Sequence, residues 1–138
     1  KPWLPVKYEH SVLNVTTQNA DHESTLQFYR KVLAFRREHP ALVEGDIEFF
    51  KTNEPVLAFR RRSEDQSLVC VYNLSPETVK VTVAGEAEMQ LSQAAERKKD
   101  KLVLGPSGFA VMLEHLDAPL HVEFKGRLKL KVAARAYN

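Results

Sequence analysis

Apolar residues repeat with the period of an α-helix in one long segment of the chain, residues 24–42. Leu26, Tyr29, Val32 and Leu33 fall on one helical face there, and neighbouring phenylalanines widen the apolar stripe. The pattern predicts an amphipathic helix. A stripe of this width needs a large partner surface, supplied either by another domain or by self-association.

Local signals mark both ends of this helix. Ser24 can cap the first turn, and Gln27 three residues later completes a capping-box pattern. Pro40 disfavours helical geometry at His39 and is predicted to close the element. Basic residues near the C-terminal end suit the helix dipole.

After Gly45 the pattern changes to short apolar or alternating runs separated by turn residues. The predicted strands cover residues 46–52, 56–62, 67–74, 78–83, 87–91, 102–104 and 109–114, with a polar loop at 92–101 and a turn at 105–108. Several short strands at this spacing are typical of an antiparallel sandwich. The predicted fold is mainly β: an antiparallel β-sandwich preceded by an irregular lead-in over residues 1–20 and one amphipathic helix.

Residues 117–138 form a tail with two interpretations. Leu120, Val122 and Phe124 alternate with polar residues, and so do apolar residues of 128–132, which favours an edge hairpin about Gly126. A vector-derived origin for residues 125–138 is the alternative.

The charge distribution separates this tail from the rest of the chain. The formal net charge is +2, but residues 125–138 hold five Lys and Arg and no acid, which leaves 15 basic against 18 acidic residues elsewhere. A mildly acidic body argues against nucleic acid as a partner. No apolar run is long enough for a membrane span, and the N-terminus has no apolar h-region, so a cytoplasmic location is expected.

The carboxylates do not form a predicted catalytic pair. A carboxylate pair that acts as nucleophile and general acid needs its two groups about 5 Å apart, whereas the acids here lie in turns or alternate outward along strands and are expected to be solvated. They are Glu44, Asp46, Glu48, Glu54, Glu64, Asp65, Glu77, Glu86, Glu88, Glu96, Asp100 and Glu114. The five histidines show no helical metal-site spacing, and no phosphate-binding glycine loop is present. We therefore predict no catalytic, metal-binding or cofactor-binding residue.

Two further side chains receive structural interpretations. Arg60, in the triplet of residues 60–62, is expected in a solvated, partly paired turn. Cys70 lies in the apolar run of residues 68–72, so we expect a buried and unreactive thiol.

Several motifs resemble one enzyme family in its own order along the chain. Residues 28–45 (FYRKVLAFRREHPALVEG) resemble the FYR…LR…PAL-x-x-G segment of bacterial α-glucosidases of the α-amylase superfamily. Residues 2–6 and 13–15 resemble the loop before that segment, 68–75 (LVCVYNLS) an LVVLNFS strand, and 105–109 an LPPYGF turn. The resemblance runs from residue 1 to about residue 115.

The resemblance implies the end of a catalytic barrel over residues 1–43, a C-terminal antiparallel β domain over 44–116 and an uncertain tail over 117–138. In that family the catalytic carboxylates lie upstream, so this chain is expected to be inactive alone. It would cap and stabilise the barrel of a retaining α-glucosidase that acts on short α-linked glucosides, either α-1,4 or α-1,6. The implied partners are the missing barrel and the oligosaccharide substrate of the parent. Trp3 would lie at the substrate rim or anchor the lead-in.

Two other functions remain open at this point. One is a free-standing carbohydrate-binding β-sandwich, which exposes aromatic platforms for sugar rings. The other is part of a non-catalytic relative, such as the heavy chain of an amino-acid transporter.

Overall fold

The structure is a computed structural model, and it describes residues 3–5 and 7–126. The proposed tail strand at 128–132 lies outside the described residues. In this described part of the chain, four helices precede seven strands. The elements are α1 Glu9–Val12, α2 Val15–Ala20, α3 Thr25–Glu38, α4 Pro40–Val43, β1 Asp46–Phe49, β2 Val56–Arg62, β3 Ser67–Asn73, β4 Val79–Ala84, β5 Ala87–Lys98, β6 Lys101–Glu114 and β7 His121–Glu123.

The strands pair into one curled antiparallel sheet with the order β1-β2-β3-β6-β4-β7, and β5 pairs with β6 outside this path. The predicted mainly β fold is confirmed. β6 causes the curl because it changes partner along its length: residues 109–114 pair with β3, and residues 101–104 pair with β4.

Two boundary predictions in this region are wrong. Residues 105–108 are not a turn but the bend inside β6, where these four residues lie opposite the single residue Ala94 of β5; Ser107 and Ala94 take positive φ values of 52° and 48°. Glycine and proline there permit a kink while β5 keeps pairing on either side. Residues 92–98 are not a loop but the second half of β5, where Glu96 and Lys98 face solvent and the half-buried Arg97 donates to backbone carbonyls of residues 83, 85 and 87.

The inner face of the sheet holds the larger core. It consists of aliphatic side chains from β2, β3, β4, β6 and the segment around β7, among them Val69, Val71, Val81, Leu102 and Met112. Leu120, Val122 and Phe124 belong to this core, which β7 closes by pairing with β4 at the edge.

The long helix starts and ends near the predicted residues. The backbone amide of Gln27 donates to Ser24 Oγ, as predicted, but the side chain of Gln27 donates to Asn19 O, so the reciprocal half of a capping box is not made. α3 stops at Glu38, and Pro40 opens the separate short helix α4. The predicted 24–42 helix is therefore two helices.

The lead-in is less extended than expected, since it contains α1 and α2. Asn14 explains α2: its side chain accepts from the amide of Thr17 and caps the first turn. The apolar residues of the lead-in remain open to solvent, with Trp3 92% and Leu13 70% exposed.

The junction between helices and sheet depends on close backbone approach. Ala41 is fully buried, and a Cβ placed on Gly45 would lie 2.5 Å from Ala41 O and 2.7 Å from Arg62 O. The PAL-x-x-G sequence thus fixes α4 against β2 because no side chain fits at Gly45.

Candidate functional site

Six aromatic rings form a continuous row across the face of the sheet that carries the helices. Neighbouring centroids in the row are 5.8–6.4 Å apart. The row crosses β1, β2, β3 and β6 and continues onto α3. In order it contains Phe49, Phe59, Tyr72, Phe109, Phe28 and Tyr29.

The rings in the centre of this aromatic row turn their faces toward one another. Phe59 and Tyr72 stack at an interplanar angle of 22°, and Tyr72 and Phe109 stack at 23°. Stacked rings of this kind bury apolar area with a preferred geometry. Both ends of the row remain open: Phe49 is 62% and Tyr29 61% exposed.

A groove of about 610 Å³ lies between α3 and the aromatic row. Val32 and Phe35 of α3 and Leu91 and Val111 of the sheet contribute to its apolar walls. Within the described residues, no side chain of α3 is fully buried. The helix therefore covers this face of the sheet only in part.

Two arginines, Arg36 and Arg61, are the charged residues that line the groove in the described part of the chain. Arg61 Nη2 donates to Gly45 O at 2.7 Å. Its Nε is buried and has no hydrogen-bond partner among the described residues. The groove therefore combines an apolar wall, positive charge and an unused donor.

Cys70 also lines this groove and is 2% exposed, so its predicted burial is confirmed. Burial raises the pKa of the Cys70 thiol to about 12, and burial likewise raises the pKa of Tyr72 to about 12. Neither group ionises near neutral pH.

A buried ion pair lies on the opposite, inner face of the sheet. Arg60 Nε donates to Glu114 Oε1 at 2.5 Å, and Ser67 Oγ donates to the same oxygen at 2.6 Å. The amide of Leu120 donates to Glu114 Oε2 at 2.5 Å, while Arg60 Nη2 donates to the carbonyl of Leu120 at 2.9 Å. The pair therefore holds the segment before β7 through both backbone groups of one residue.

The solvated positions expected for Arg60 and Glu114 are wrong, since the two residues are 8% and 5% exposed. Strand alternation contains the signal: Arg60 continues the inward positions of Val56 and Ala58, and Glu114 continues those of Ala110 and Met112. Only the pairing of β2 and β6 with the strand between them brings the two charges together.

This arrangement assigns Glu114 a structural role. Burial alone would raise the pKa of its carboxyl, but hydrogen bonds from Arg60, Ser67 and the Leu120 amide outweigh burial and lower the pKa. The hydrogen bond to Glu114 raises the pKa of Arg60. A carboxylate whose pKa is lowered and whose oxygens already accept hydrogen bonds is poorly suited to act as a general acid.

The other acidic candidates are exposed, as predicted. Five of them line a shallow cavity of about 840 Å³ beside α4 and β1: Glu44, Asp46, Glu48, Glu64 and Asp65. Glu48 is paired with Arg60 at 3.0 Å. Within the described residues, no group of three or more potential metal ligands is close enough to hold an ion.

Trp3 and the histidines do not join a common site. Trp3 projects from the lead-in, and its place at a substrate rim stays a prediction. His39 caps α3, because its Nδ1 donates to Phe35 O at 2.7 Å and its ring lies against that of Phe35.

None of the described helices has the length and apolar character needed to cross a bilayer.

Comparison with known proteins finds relatives among the glycosidases. The chain is 41% identical over 76 residues to a probable alpha-glucosidase of Rhizobium meliloti (strain 1021), a match that covers 55% of this chain and 14% of the relative. It is 33% identical over 108 residues to a glucan 1,6-alpha-glucosidase of Streptococcus pneumoniae serotype 4, covering 77% of this chain and 20% of the relative. No protein-family model matches the chain.

Solved structures agree with these relatives. The alpha-glucosyl transfer enzyme XgtA is 34% identical and superposes with a TM-score of 0.77, over 83% of this chain and 22% of that enzyme. An alpha-amylase from H. orenii superposes with a TM-score of 0.66 over 82% of this chain and 25% of its own; at 24% identity this likeness shows the fold alone.

The matched part is small in every case, since the chain spans 14–25% of the length of these proteins. The resemblance first carried by the FYR…PAL-x-x-G segment is confirmed by relatives that are alpha-glucosidases and oligo-1,6-glucosidases. The chain is thus related to the α-glucosidases and oligo-1,6-glucosidases, and it fits a C-terminal fragment of such a protein.

Proposed function

We propose that this chain is the non-catalytic C-terminal portion of a retaining α-glucosidase acting on short α-linked glucosides, and that it caps and stabilises the catalytic barrel. The observation that carries this proposal is the open aromatic face on the helix side of the sheet. Exposed apolar side chains continue from it along α3, where Leu33 is 53% exposed, to the lead-in, where Tyr8 is 83% exposed. Contiguous apolar surface of this kind marks an interaction site.

The proposed domain division follows from the same surface. Residues 1–43 carry most of this exposed surface and form the end of the barrel. The β domain begins at residue 44, and we extend it from residue 116 to Phe124 because Leu120, Val122 and Phe124 lie in the inner core. A bacterial cytoplasmic location and a place for Trp3 at the substrate rim stay predictions.

The test is a chimera. In the full-length Streptococcus pneumoniae relative, the segment matched by this chain is replaced with the chain, and a second version lacks the segment altogether. We expect the chimera to hydrolyse a chromogenic α-glucoside and to unfold at a higher temperature than the deleted version. The isolated chain should be inactive. Hydrolysis by the isolated chain, or a chimera no better than the deletion, would refute the proposal.

A free-standing carbohydrate-binding module is the second candidate, and the aromatic row favours it. Against it stands the stacking of Phe59, Tyr72 and Phe109, which turns ring faces toward one another instead of toward a sugar. Titration of the isolated chain with maltotriose and isomaltotriose decides between the two. Binding that is lost in Tyr72→Ala, with the fold retained, would support the module.

A further inference from the structure

The charged side chains described at the groove between α3 and the aromatic row are all positive. Arg36 and Arg61 line it, and no Asp or Glu does so within the described residues. The other polar groups there, such as Gln93 and Ser107, are neutral. An occupant that complements this lining is apolar and carries negative charge.

Arg61 adds a directional requirement. One of its terminal nitrogens is used by Gly45 O, but its buried Nε has no partner among the described residues. A buried donor without an acceptor is unfavourable, so such groups are normally paired in a complete structure. A guanidinium offers two parallel donors that fit a carboxylate better than any other side chain.

We propose that this groove receives an apolar, carboxylate-bearing segment of the catalytic barrel, and that Arg61 pairs with its carboxylate. The inference rests on the proposed function, because it takes the barrel as the partner. Three observations select that occupant: the charge of the groove, its continuity with the exposed apolar side of α3, and the length of the relatives, of which this chain spans about one fifth.

Other occupants fit less well. In a symmetric dimer the same patch meets itself, which would bring Arg36 and Arg61 of two copies into one apolar interface. Like charges at an interface are repulsive. A neutral oligosaccharide supplies no anion for Arg61 and finds few free ring faces.

The first test uses the complete 138-residue chain and a small probe. Naphthalene-2-carboxylate and the neutral naphthalene-2-carboxamide are titrated separately, and amide chemical shifts are followed by NMR. We expect the carboxylate to bind at the groove and the carboxamide at least about tenfold more weakly, on the scale of one charge-assisted hydrogen bond. Equal affinities, or shifts that do not map to the groove, would overturn the role of Arg61.

Variants sharpen this measurement. Arg61→Met should weaken the carboxylate about tenfold and leave the carboxamide unchanged. Arg37→Met is the matched control, since Arg37 is an exposed arginine of α3 that does not line the groove. An equal loss in both variants would mean unspecific attraction. If Arg61→Met fails to fold, the comparison of the two probes still decides.

The second test asks whether the barrel is the occupant. Gln93→Cys lies in the groove wall and is exposed in the free chain, whereas Lys80→Cys lies on β4 away from the groove. Thiol labelling at each site is measured by mass spectrometry in the free chain and in the chimera. We expect at least about tenfold protection of Gln93→Cys in the chimera and none of Lys80→Cys.

The outcomes separate the two proposals. An active chimera in which Gln93→Cys stays reactive refutes the groove as the docking site and leaves the capping function standing. An inactive chimera that is no more stable than the deletion refutes the capping function and, with it, the barrel as occupant. The probe titration then still decides whether the groove selects a carboxylate.

Discussion

Replacing Glu114 with Gln tests the buried ion pair with almost no change in volume. The carboxylate accepts from Arg60 Nε and Nη2, Ser67 Oγ and the Leu120 amide. A Gln side chain has one acceptor oxygen, so its amide group must turn its own donors toward some of these donors. Arg60 keeps Glu48 as a partner, but the side chain of Glu48 is 70% exposed and compensates weakly.

We expect Glu114→Gln to lower the free energy of unfolding by about 3 kcal/mol, the lower end of the range for breaking a buried pair from one side. With ordinary urea sensitivity the unfolding midpoint then falls by about 1–3 M. Far-UV circular dichroism is the suitable probe, because the single tryptophan, Trp3, is 92% exposed and its fluorescence reports poorly on the core.

The double variant Arg60→Met/Glu114→Leu removes both charges and separates pairing from burial. The single variants Arg60→Met and Glu114→Leu are measured beside it. The double variant should be at least about 1 kcal/mol more stable than the sum of the two single losses predicts, because each single variant leaves one buried charge unpaired and the double variant does not. Strictly additive losses, or a Glu114→Gln midpoint equal to that of the starting chain, would refute the reasoning.

Three further predictions concern the acid sensitivity of Glu114, the close backbone packing at Gly45 and the reactivity of the Cys70 thiol. The pKa of Glu114 is lowered in the folded state, so its stabilising contribution is full above the unfolded pKa of about 4.3 and is lost as the pH falls through the folded pKa. The urea midpoint should therefore fall less steeply with acid in Glu114→Gln than in the starting chain. Gly45→Ala should cost about 1–3 kcal/mol, since its Cβ would meet backbone on two sides, and Glu44→Ala is the exposed control; equal midpoints would contradict this. Cys70 should react with a thiol reagent only at the rate of unfolding, and labelling within seconds under native conditions would place β3 at an exposed edge.

Patterns within a single element predict this fold well. Residues 56–62 form the predicted strand with the same ends, because the apolar alternation there coincides with burial on one face. The predicted cap at Ser24 and the stop before Pro40 are also found, since both depend on neighbouring backbone groups alone.

Features that require two distant strands do not follow from such patterns. The aromatic row exists because Tyr72 lies opposite Phe109 and Phe49 opposite Phe59, and this register is set by the whole sheet. The bend in β6 cannot be distinguished from a turn by sequence for the same reason, since glycine and proline mark a break in either case. The alternation of β2 and β6 places Arg60 and Glu114 on the inner face, but charged residues are usually solvated, so the pattern alone does not predict that they are buried.

The two faces of the sheet differ in a way that indicates where the interaction surface lies. The inner face is closed: its aliphatic side chains are buried, and the buried guanidinium of Arg60 is paired with Glu114. The helix-side face is half open, holds stacked rings instead of small aliphatic side chains, and leaves Arg61 Nε without a partner among the described residues. A chain that stabilised only itself would gain by closing both faces in the same way, because exposed rings and stranded donors cost free energy. The asymmetry is therefore explained by a partner on the helix side, and the variants of Arg61 and Gln93 are the ones that locate it.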